Sequence, residues 1–429
     1  YRHEVGRPYL PQPGNTNRLL VAASPNDRVA DTQWLRSDVD RFFFERAREA
    51  GVEALEDTEL TEMDNDGGLA RLSGTSYGER LAIETALVID ASGEGGFLRR
   101  HLPIEKGLPL RTSSTLLFGH FRDVPLLADA APGEADWSAP YPEDWAAVHH
   151  LLDEGWLYLL RFDDGLVSAG ALLEGSGDAR GEEPDERWSA LLRRYPTLDA
   201  LFGDALVERP IAANRVQRRL ARAHGRHWVV LPHTYGFVDP LFSTGIAWSL
   251  TGVERLGDTL CQLGPDADGI ASGAAFDRYA GLLAAELRQV DRLICGAYRA
   301  RHHFELFAAQ AMLYFAVVSF EESQQRLCEP PAPWWRGFLG AGDAALETVF
   351  KKAMERLEHA GHDEPGRAEF AAWVRQKIEP WNVAGLADPA RANLYPVDFA
   401  DLIGSAGKLG LSAEAVQAAV PRLRGGVVE

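Results

Sequence analysis

Cysteine is scarce in this chain of 429 residues, which contains only Cys261, Cys295 and Cys328. Their odd number and wide separation exclude a disulfide framework, and they lack the spacing of zinc ligands. Such cysteine usage favours a reducing compartment. We therefore expect a cytoplasmic protein that holds no metal.

Long apolar runs and an excess of basic residues are also missing. The longest apolar stretch, residues 312–320, is shorter than the roughly 18 residues that a transmembrane helix needs. Lysine and arginine total 44 against 63 acidic residues, which gives a formal net charge of -19. Because an acidic chain repels phosphate groups, we expect neither nucleic acid nor a membrane as a partner.

Several motifs that would define an activity are absent. The sequence has no Walker A, Gly-x-Ser-x-Gly or Cys-x-x-Cys pattern, and no Gly-x-Gly-x-x-Gly at a strand-to-helix turn. The nearest approximation, residues 175–181, has the wrong spacing, is acidic and precedes no apolar helix, so we interpret it as a loop. Residues 1–4 resemble neither a signal peptide nor a translation start, and the sequence reads as though it begins inside a protein.

The composition that remains is typical of a globular protein of two or three lobes, with 46% hydrophobic and 25% charged residues. Near the start, Ser37 and Asp40 predict the beginning of a helix with Ser37 as its cap, and Gly51 predicts its end. A strand over residues 52–55 and a hairpin around residues 64–68 should follow.

The middle and the end of the chain differ in pattern. Residues 86–90 form a short buried strand that runs into a glycine-rich turn, and strand-like segments alternate with loops over residues 112–173. The alternation predicts a mostly antiparallel sheet. From Phe276 onward, the periodicity predicts almost pure helix in about six segments, and residues 312–320 fit a helical core.

The strongest functional signal is a strand–turn–helix over residues 228–261. A buried strand over residues 228–231 leads into a turn, and Ser243 and Thr244 precede a long helix. The apolar residues of that helix recur at helical spacing: Ile246, Leu250, Val253, Leu256 and Leu260. Free N–H groups at such a helix start can stabilise an anion. The alternative is that Ser243 or Thr244 merely caps a core helix.

Three smaller groups have plainer interpretations. His224, His227 and His233 lie close in sequence, but no regular helix aligns them and no carboxylate is near, which favours surface or cofactor-lining histidines over a metal site. The arginines between residues 215 and 219 fit a solvated helix face better than an anion site. The two tryptophans at 334 and 335 fit either an aromatic lid or a loop packed on helices.

Ordered segments of the chain resemble the flavin-dependent, tryptophan-halogenase-like oxidoreductases. Residues 236–245, Gly-Phe-Val-Asp-Pro-Leu-Phe-Ser-Thr-Gly, are similar to that family's Gly-Phe-Ile-Asp-Pro-Leu-x-Ser-x-Gly segment. Residues 33–40 resemble its Gln-x-x-Arg-x-x-Phe-Asp helix start, and residues 88–93 resemble its strand and Asp-Ala-(Ser/Thr)-Gly turn. Residues 117–121, 155–156 and 380–386 fall in the corresponding order.

The resemblance implies an α/β fold. It comprises a Rossmann-type FAD-binding domain of the p-hydroxybenzoate-hydroxylase type that lacks its first βαβ unit, a mixed-sheet substrate domain and a helical C-terminal domain. We expect the partial FAD-binding domain over residues 1–102 and the substrate domain, with its antiparallel sheet, over residues 103–225. Residues 226–265 should return to the FAD-binding domain, and residues 266–429 should form the helical domain.

The same resemblance implies FAD as the cofactor and assigns roles to nine residues. The backbone of Ser243, Thr244 and Gly245 would lie at the flavin pyrimidine edge. Asp239 and Pro240 would shape the turn that begins at Gly236. The remaining three would be Arg36 and Asp90 near the dinucleotide and His233 in a substituted role.

The implied function is that of an FAD-dependent oxidoreductase, monooxygenase-like, acting on an aromatic or other electron-rich small molecule, with a flavin reductase as a candidate partner. Two departures keep alternatives open. Residues 232–235, Pro-His-Thr-Tyr, replace the family's Gly-Asp-Ala-Ala, which favours a cofactor-free binding protein. The chain has no lysine before Lys106, so a halogenase would need its lysine from upstream of residue 1.

Overall fold

The computed structural model describes residues 1–21, 24–30, 32–131, 141–175, 183–264, 270, 273–328, 336–361 and 363–425. Most of the acidic loop predicted at residues 175–181 and both tryptophans at 334–335 lie outside the described residues. The strands, in chain order, are β1 (Leu20–Val21), β2 (Thr58–Asp64), β3 (Ala70–Ser76), β4 (Glu79–Thr85), β5 (Val88–Asp90), β6 (Ser114–Arg122), β7 (Val148–Leu151), β8 (Gly155–Arg161), β9 (Val167–Glu174), β10 (Leu206–Arg215), β11 (Arg218–Arg219), β12 (His224–Gly225), β13 (Trp228–Val230), β14 (Gly236–Phe237) and β15 (Leu394–Tyr395).

Helices connect these strands and dominate the end of the chain. In chain order they are α1 (Arg36–Glu49), α2 (Phe97–His101), α3 (Leu127–Ala130), α4 (Pro184–Leu192), α5 (Pro196–Phe202), α6 (Pro232–Tyr235), α7 (Gly245–Leu263), α8 (Asp277–Ala300), α9 (Phe304–Leu327), α10 (Ala344–Ala360), α11 (Glu364–Ile378), α12 (Phe399–Gly404) and α13 (Ala413–Leu423). Short 3-10 turns join several of them.

The largest sheet has five strands in the order β10-β6-β9-β8-β7, and every neighbouring pair is antiparallel. This confirms the predicted antiparallel sheet. Burial alternates along β6, as it does when one face of a sheet is covered. The covered face packs Leu117 and Phe121 of β6 against Trp188 of α4 and Leu198 of α5.

A second, smaller sheet contains the two strands that were predicted from short apolar runs. β13 lies between β12 and β5, parallel to β5 and antiparallel to β12. A separate antiparallel sheet, β2-β3-β4, contains the predicted hairpin between β2 and β3. The strand predicted at residues 52–55 is wrong, because those residues are irregular and β2 begins at Thr58.

Helix α1 occupies the predicted place but begins differently. It starts at Arg36 with Leu35 as the N-cap, and the Ser37 hydroxyl donates to Asp38 Oδ1 instead of capping the helix. The predicted capping role of Ser37 is therefore wrong. Gly51 follows the helix with a φ of +90°, which confirms the glycine stop.

The C-terminal region is helical, as predicted. Helices α8 to α11 pack on one another, and their apolar residues form one core cluster together with Val229 of β13 and Trp156 of β8. Helix α9 is long and apolar enough to cross a membrane by length and composition, with a mean hydropathy of 1.3 over its best window, and 56% of that window is buried inside the molecule. The predicted domain boundaries stay predictions, since this core cluster joins residues from all of the proposed units.

Candidate functional site

The turns that follow β5 and β13 lie side by side. Because the two strands are parallel neighbours, their carboxyl ends meet at one edge of the sheet, the place where α/β proteins bind ligands. The backbone N–H of Gly93 donates to Thr234 Oγ1 at 2.9 Å and joins the two turns. Gly93 has a φ of +60°, a conformation that glycine adopts at low cost.

Asp90 is buried and organises the first of these turns. Its Oδ1 accepts hydrogen bonds from the backbone N and the hydroxyl of Ser92, at 2.8 and 2.6 Å. Its Oδ2 accepts from the backbone N of Leu98 at 2.9 Å, at the start of α2. These contacts show how Asp90 holds the turn in place, and its proximity to a dinucleotide stays a prediction.

Asp239 is the buried centre of the second turn and joins three parts of the molecule. Its carboxylate accepts from the Ser114 hydroxyl of β6 at 3.0 Å, the Trp156 indole of β8 at 3.2 Å and the Tyr298 hydroxyl of α8 at 2.8 Å. It also accepts from the backbone N of Leu241 at 3.1 Å, which shapes the turn as predicted from the sequence. Burial raises the pKa of Asp239 to about 6, although all four donors favour the charged form.

Helix α7 begins in the way the sequence predicts. Thr244 is its N-cap residue but makes no side-chain capping bond, and Gly245 is its first residue. Ser243 has a φ of +51°, which is an uncommon conformation for a residue other than glycine. The first N–H groups of a helix have no intrahelical acceptor, so this start carries a partial positive charge.

Gly236 is needed for close packing rather than for its backbone conformation. A Cβ at this position would lie 2.4 Å from Leu287 Cδ2 and 3.1 Å from the carbonyl oxygen of Arg218. Gly236 pairs with Arg219 across the short β11–β14 ladder. The glycine therefore lets α8 and the strand ladder approach the turn.

His233 lies at the solvent-accessible edge of the site. Its ring packs against Phe237 with the centroids 4.8 Å apart, and its backbone carbonyl accepts from Arg218 at 2.7 Å. Partial burial and the nearby charges of Arg218 and Arg36 lower the pKa of His233 to about 4. The imidazole is thus neutral at neutral pH, and can donate or accept one hydrogen bond at each nitrogen according to its tautomer.

A cavity of about 1460 Å³ lies beside the α7 start. Of the nine predicted site residues, Arg36, Pro240 and Ser243 line it. Arg36 forms an exposed ion pair with Asp40 at 2.8 Å. The structure does not place Asp90, His233, Gly236, Asp239, Thr244 or Gly245 on the cavity wall; they lie in or next to the turns behind it.

The wall of the cavity is largely apolar and contains many aromatic side chains. Its aromatic members come from the N-terminal segment, the antiparallel sheet and its loops, the α7 turn and the C-terminal region: Tyr1, Trp34, Tyr141, Trp145, Trp156, Tyr158, Phe162, Phe237, Phe242, Phe304, Phe307, Tyr314, Phe315, Tyr395 and Phe399. Tyr314 stacks on Phe242 at 4.5 Å between centroids, and its hydroxyl donates to the carbonyl of Phe242 at 2.9 Å. Such a wall suits a flat, apolar ligand.

Helix α9 also contributes to this wall, which the sequence did not indicate. Residues 312–320 were interpreted as core, and Met312, Leu313 and Val317 are indeed buried. Tyr314 and Phe315 of the same run line the cavity instead. The run is apolar all round, so periodicity alone gave no signal for which side opens onto a ligand space.

The three histidines that lie close in sequence have separate contacts. His224 pairs with Asp277 at 3.1 Å, and His227 bonds to the carbonyl oxygens of Ala86 and Gly67. Within the described ranges, no group of three or more His, Cys, Asp or Glu side chains is arranged to hold a metal ion.

The chain is similar in sequence to several halogenases. It is 26% identical to tetracycline 7-halogenase of Kitasatospora aureofaciens over 247 residues, which are 55% of this chain and 43% of that protein. It is 25% identical to the monodechloroaminopyrrolnitrin halogenase PrnC of Pseudomonas fluorescens over 368 residues, which are 82% of this chain and 60% of that protein. The chain thus spans about half the length of these curated relatives, and no family model matches it.

Solved structures show the same fold. The crystal structure of the halogenase PltM in complex with phloroglucinol and FAD superposes with a TM-score of 0.77 at 19% identity, covering 88% of this chain and 81% of that one. The flavin-dependent brominase Bmp2 superposes with a TM-score of 0.56 at 16% identity, covering 77% and 76% of the two chains. The fold is therefore the α/β fold of flavin-dependent halogenases, with mixed sheets and a helical C-terminal region. The chain thus resembles flavin-dependent halogenases in sequence and shares their fold.

Proposed function

We propose that the protein is an FAD-dependent oxidoreductase that acts on a small aromatic or other electron-rich molecule. One observation carries this proposal: the start of α7 and its strained Ser243 turn lie beside a large aromatic cavity. The pairing of a helix start that favours negative charge with a wall that favours flat ligands suits a flavin ring next to an aromatic substrate.

The residues fit FAD on the flavin side of the site. The N–H groups at the start of α7 can bind the pyrimidine edge, where a reduced flavin carries negative charge. When bound, FAD supplies the redox chemistry with O₂ that such enzymes direct at an electron-rich substrate. At the phosphate side, no strand-to-helix turn of the described residues has the Gly-x-Gly-x-x-Gly pattern.

The protein's own residues fix the position of the α7 start and surround it with apolar side chains. Asp239 fixes the turn before α7 to the sheet and to α8 through three side-chain donors. Phe242 and Tyr314, stacked on each other, line the cavity beside the helix start, where they would limit the access of water to a bound flavin. A rigid, water-poor site strengthens every hydrogen bond to a developing charge.

Halogenation is the specific reaction that the relatives favour. The named relatives are halogenases, and one of the solved structures is a brominase. No lysine lines the described part of the cavity, so a halogenating enzyme would need a lysine that this wall does not supply. Hydroxylation of the same substrate class needs no such lysine and remains part of the proposal.

Two further parts of the proposal concern the source of the reducing equivalents and the compartment in which the protein works. A flavin reductase would deliver the reducing equivalents, as the resemblance to flavin-dependent halogenases implies. The cysteine usage supports a cytoplasmic location, where reductant is available.

A second candidate is a cofactor-free binding protein. The observation that favours it is His233, whose carbonyl and ring already contact Arg218 and Phe237. The motif resemblance implies an acidic residue at this position. The large cavity would then hold a small molecule that is not transformed.

The placement of the flavin edge is tested by replacing Gly245 with valine. A Cβ at Gly245 meets only Phe237 Cε2 at 3.5 Å, so alanine fits, whereas the branched valine side chain crowds Phe237 and shields the helix N–H groups. We expect Gly245→Val to lose the visible flavin absorbance that Gly245→Ala and wild type keep after desalting. Gly257→Val, at an open position of the same helix, is the control. Flavin retention by Gly245→Val equal to that of wild type would contradict the placement.

The reaction is identified by product mass with reduced FAD, O₂, bromide and a phenolic probe. Replacement of hydrogen by bromine supports halogenation, and gain of one oxygen supports hydroxylation. An unchanged probe in a protein that also fails to retain flavin supports the binding protein.

A further inference from the structure

The charged side chains on the cavity wall are unevenly paired. The cavity is lined by three arginines, Arg36, Arg209 and Arg326. Arg36 pairs with Asp40 at 2.8 Å, and Arg326 pairs with Glu322 at 2.8 Å. Among the described residues, no carboxylate oxygen lies within 4.0 Å of the guanidinium of Arg209.

The carboxylates of the wall do not offset this charge. Glu322 forms an ion pair with Arg326. Asp398 caps a helix by accepting a hydrogen bond from the backbone N–H of Ala400 at 2.8 Å. Glu143 accepts a hydrogen bond from the Tyr1 hydroxyl. Arg209 is therefore the one arginine of the described cavity wall that no carboxylate pairs within 4.0 Å.

The backbone of β10 is distorted at this residue. The pairing of β10 with β6 shifts register between Val207 and Arg209, and again between Arg209 and Ala212. A Cβ on Gly119 of β6 would lie 2.7 Å from Ile211 Cδ1 and 3.2 Å from the carbonyl oxygen of Arg209, so the glycine makes room for the irregular strand. Such irregularities redirect side chains and are frequent beside ligand sites.

Neutral polar groups surround Arg209 on the same sheet. His120 is its partner across the β10–β6 ladder, and Ser168 is the partner of His120 on β9. Both line the cavity, as does Tyr158, whose ring covers the face of Gly170. Burial and the charge of Arg209 lower the pKa of His120, so its neutral ring can donate one hydrogen bond without adding charge.

We infer that Arg209 and His120 form a subsite for the acidic group of the substrate, which is therefore a small aromatic acid. A guanidinium binds a carboxylate through two parallel N–H···O bonds. The His120 imidazole and the Ser168 hydroxyl can donate to the remaining lone pairs of that carboxylate. The aromatic body of the acid then lies along Tyr158 and Trp156, which sit 6.2 Å apart between ring centroids. The inference rests on the proposed function, because it names the substrate class of the same cavity.

Calorimetric titration with a matched pair of probes, 4-hydroxybenzoate and 4-hydroxybenzamide, tests the subsite without turnover. We expect wild type to bind the acid at least about tenfold more tightly than the amide, as for a hydrogen bond to a charged group. Arg209→Met should remove this preference and change the affinity for the amide less than twofold. Arg209→Lys should restore part of it.

Arg215→Met is the matched control, since Arg215 lies on the same strand, is exposed and does not line the cavity. Equal binding of both probes by wild type overturns the inference, as does equal loss of both probes in Arg209→Met. Loss of bound flavin in Arg209→Met with unchanged binding of the acid would assign the arginine to the cofactor and also overturn it. An acid preference in a wild-type protein that retains no flavin would leave the subsite standing while the proposed function fails.

Discussion

Asp239 shows how one buried carboxylate can set the geometry of the whole candidate site. Its four donors come from β6, β8, α8 and its own turn, so the position of the α7 start depends on it. The sequence motif indicated a shaped turn, but it could not indicate the donors, because Ser114, Trp156 and Tyr298 lie 125, 83 and 59 residues away.

Asp239→Asn should therefore destabilise the protein. The amide nitrogen of asparagine would face at least one of the four donors, and leaving a buried polar group unsatisfied costs about 1–3 kcal/mol. We expect a lower urea midpoint with an unchanged slope at pH 7.5. Asp204→Asn, at an exposed position, is the control and should leave the midpoint unchanged. A wild-type midpoint for Asp239→Asn would show that the carboxylate does not hold the turn.

His233 gives a pH-dependent prediction at the same scale. Its pKa in the folded protein is about 4, whereas an unfolded histidine titrates near 6.5. Between these values the unfolded chain has bound a proton that the folded chain has not, so the free energy of unfolding falls as the pH drops from about 6.5 to 4. His233→Gln should show a shallower decline over this range. NMR titration should find the wild-type ring neutral at pH 5.5, and an ordinary histidine titration there would contradict the structure.

The sequence motif predicted the position of the turn but not which of its residues line the cavity. The motif of residues 236–245 located the turn and the helix start, and Thr244 and Gly245 lie where it predicts. It did not separate residues that reach the cavity, such as Ser243, from those behind it, such as Asp239. Arg209 carried no sequence signal, because its significance comes from a strand irregularity and from the absence of a carboxylate near it in the described structure.

Helix α7 illustrates the same limit for a whole element. The apolar spacing predicted the helix, but the apolar residues do not share one environment. Leu256 is buried, whereas Ile246 and Leu250 are more than 40% exposed and line the cavity. The buried side instead includes Arg255, which forms a fully buried ion pair with Glu286 at 2.6 Å. Periodicity predicts a helix and its apolar stripe, and the fold decides whether that stripe meets core or ligand space.

Helix α1 should be the least protected long helix of the described chain. It has no buried residue, and Phe42 and Phe43 are 53% and 50% exposed. Helix α8, by contrast, has buried residues along most of its length. Because local opening is easiest where few apolar contacts are lost, amides of α1 should exchange with deuterium well before those of α8.

Hydrogen exchange followed by mass spectrometry checks this ordering in the 429-residue chain. Helix α10, which is exposed on one side and buried on the other, provides an internal reference of intermediate protection. Exchange of α1 as slow as that of α8 would mean that another part of the protein covers Phe42 and Phe43.

At the scale of the molecule, the ordered motifs led from sequence to the correct fold, although no single motif would have sufficed. The antiparallel sheet, the buried strands β5 and β13 and the helical C-terminal region are where the sequence predicted them, whereas the parallel pairing of β5 with β13 emerges only from the fold. The cavity could not be predicted, because its wall combines residues from the N-terminal part, the central sheet and α9. Only the folded chain brings these segments together.

The central claim is that the protein binds FAD, and the visible absorption spectrum of the purified protein tests it most directly. The protein would be incubated with FAD and desalted. We predict oxidised-flavin bands in the wild type, and their loss in its Gly245→Val variant. A wild-type protein that retains no flavin under these conditions would contradict the account and favour the cofactor-free binding protein.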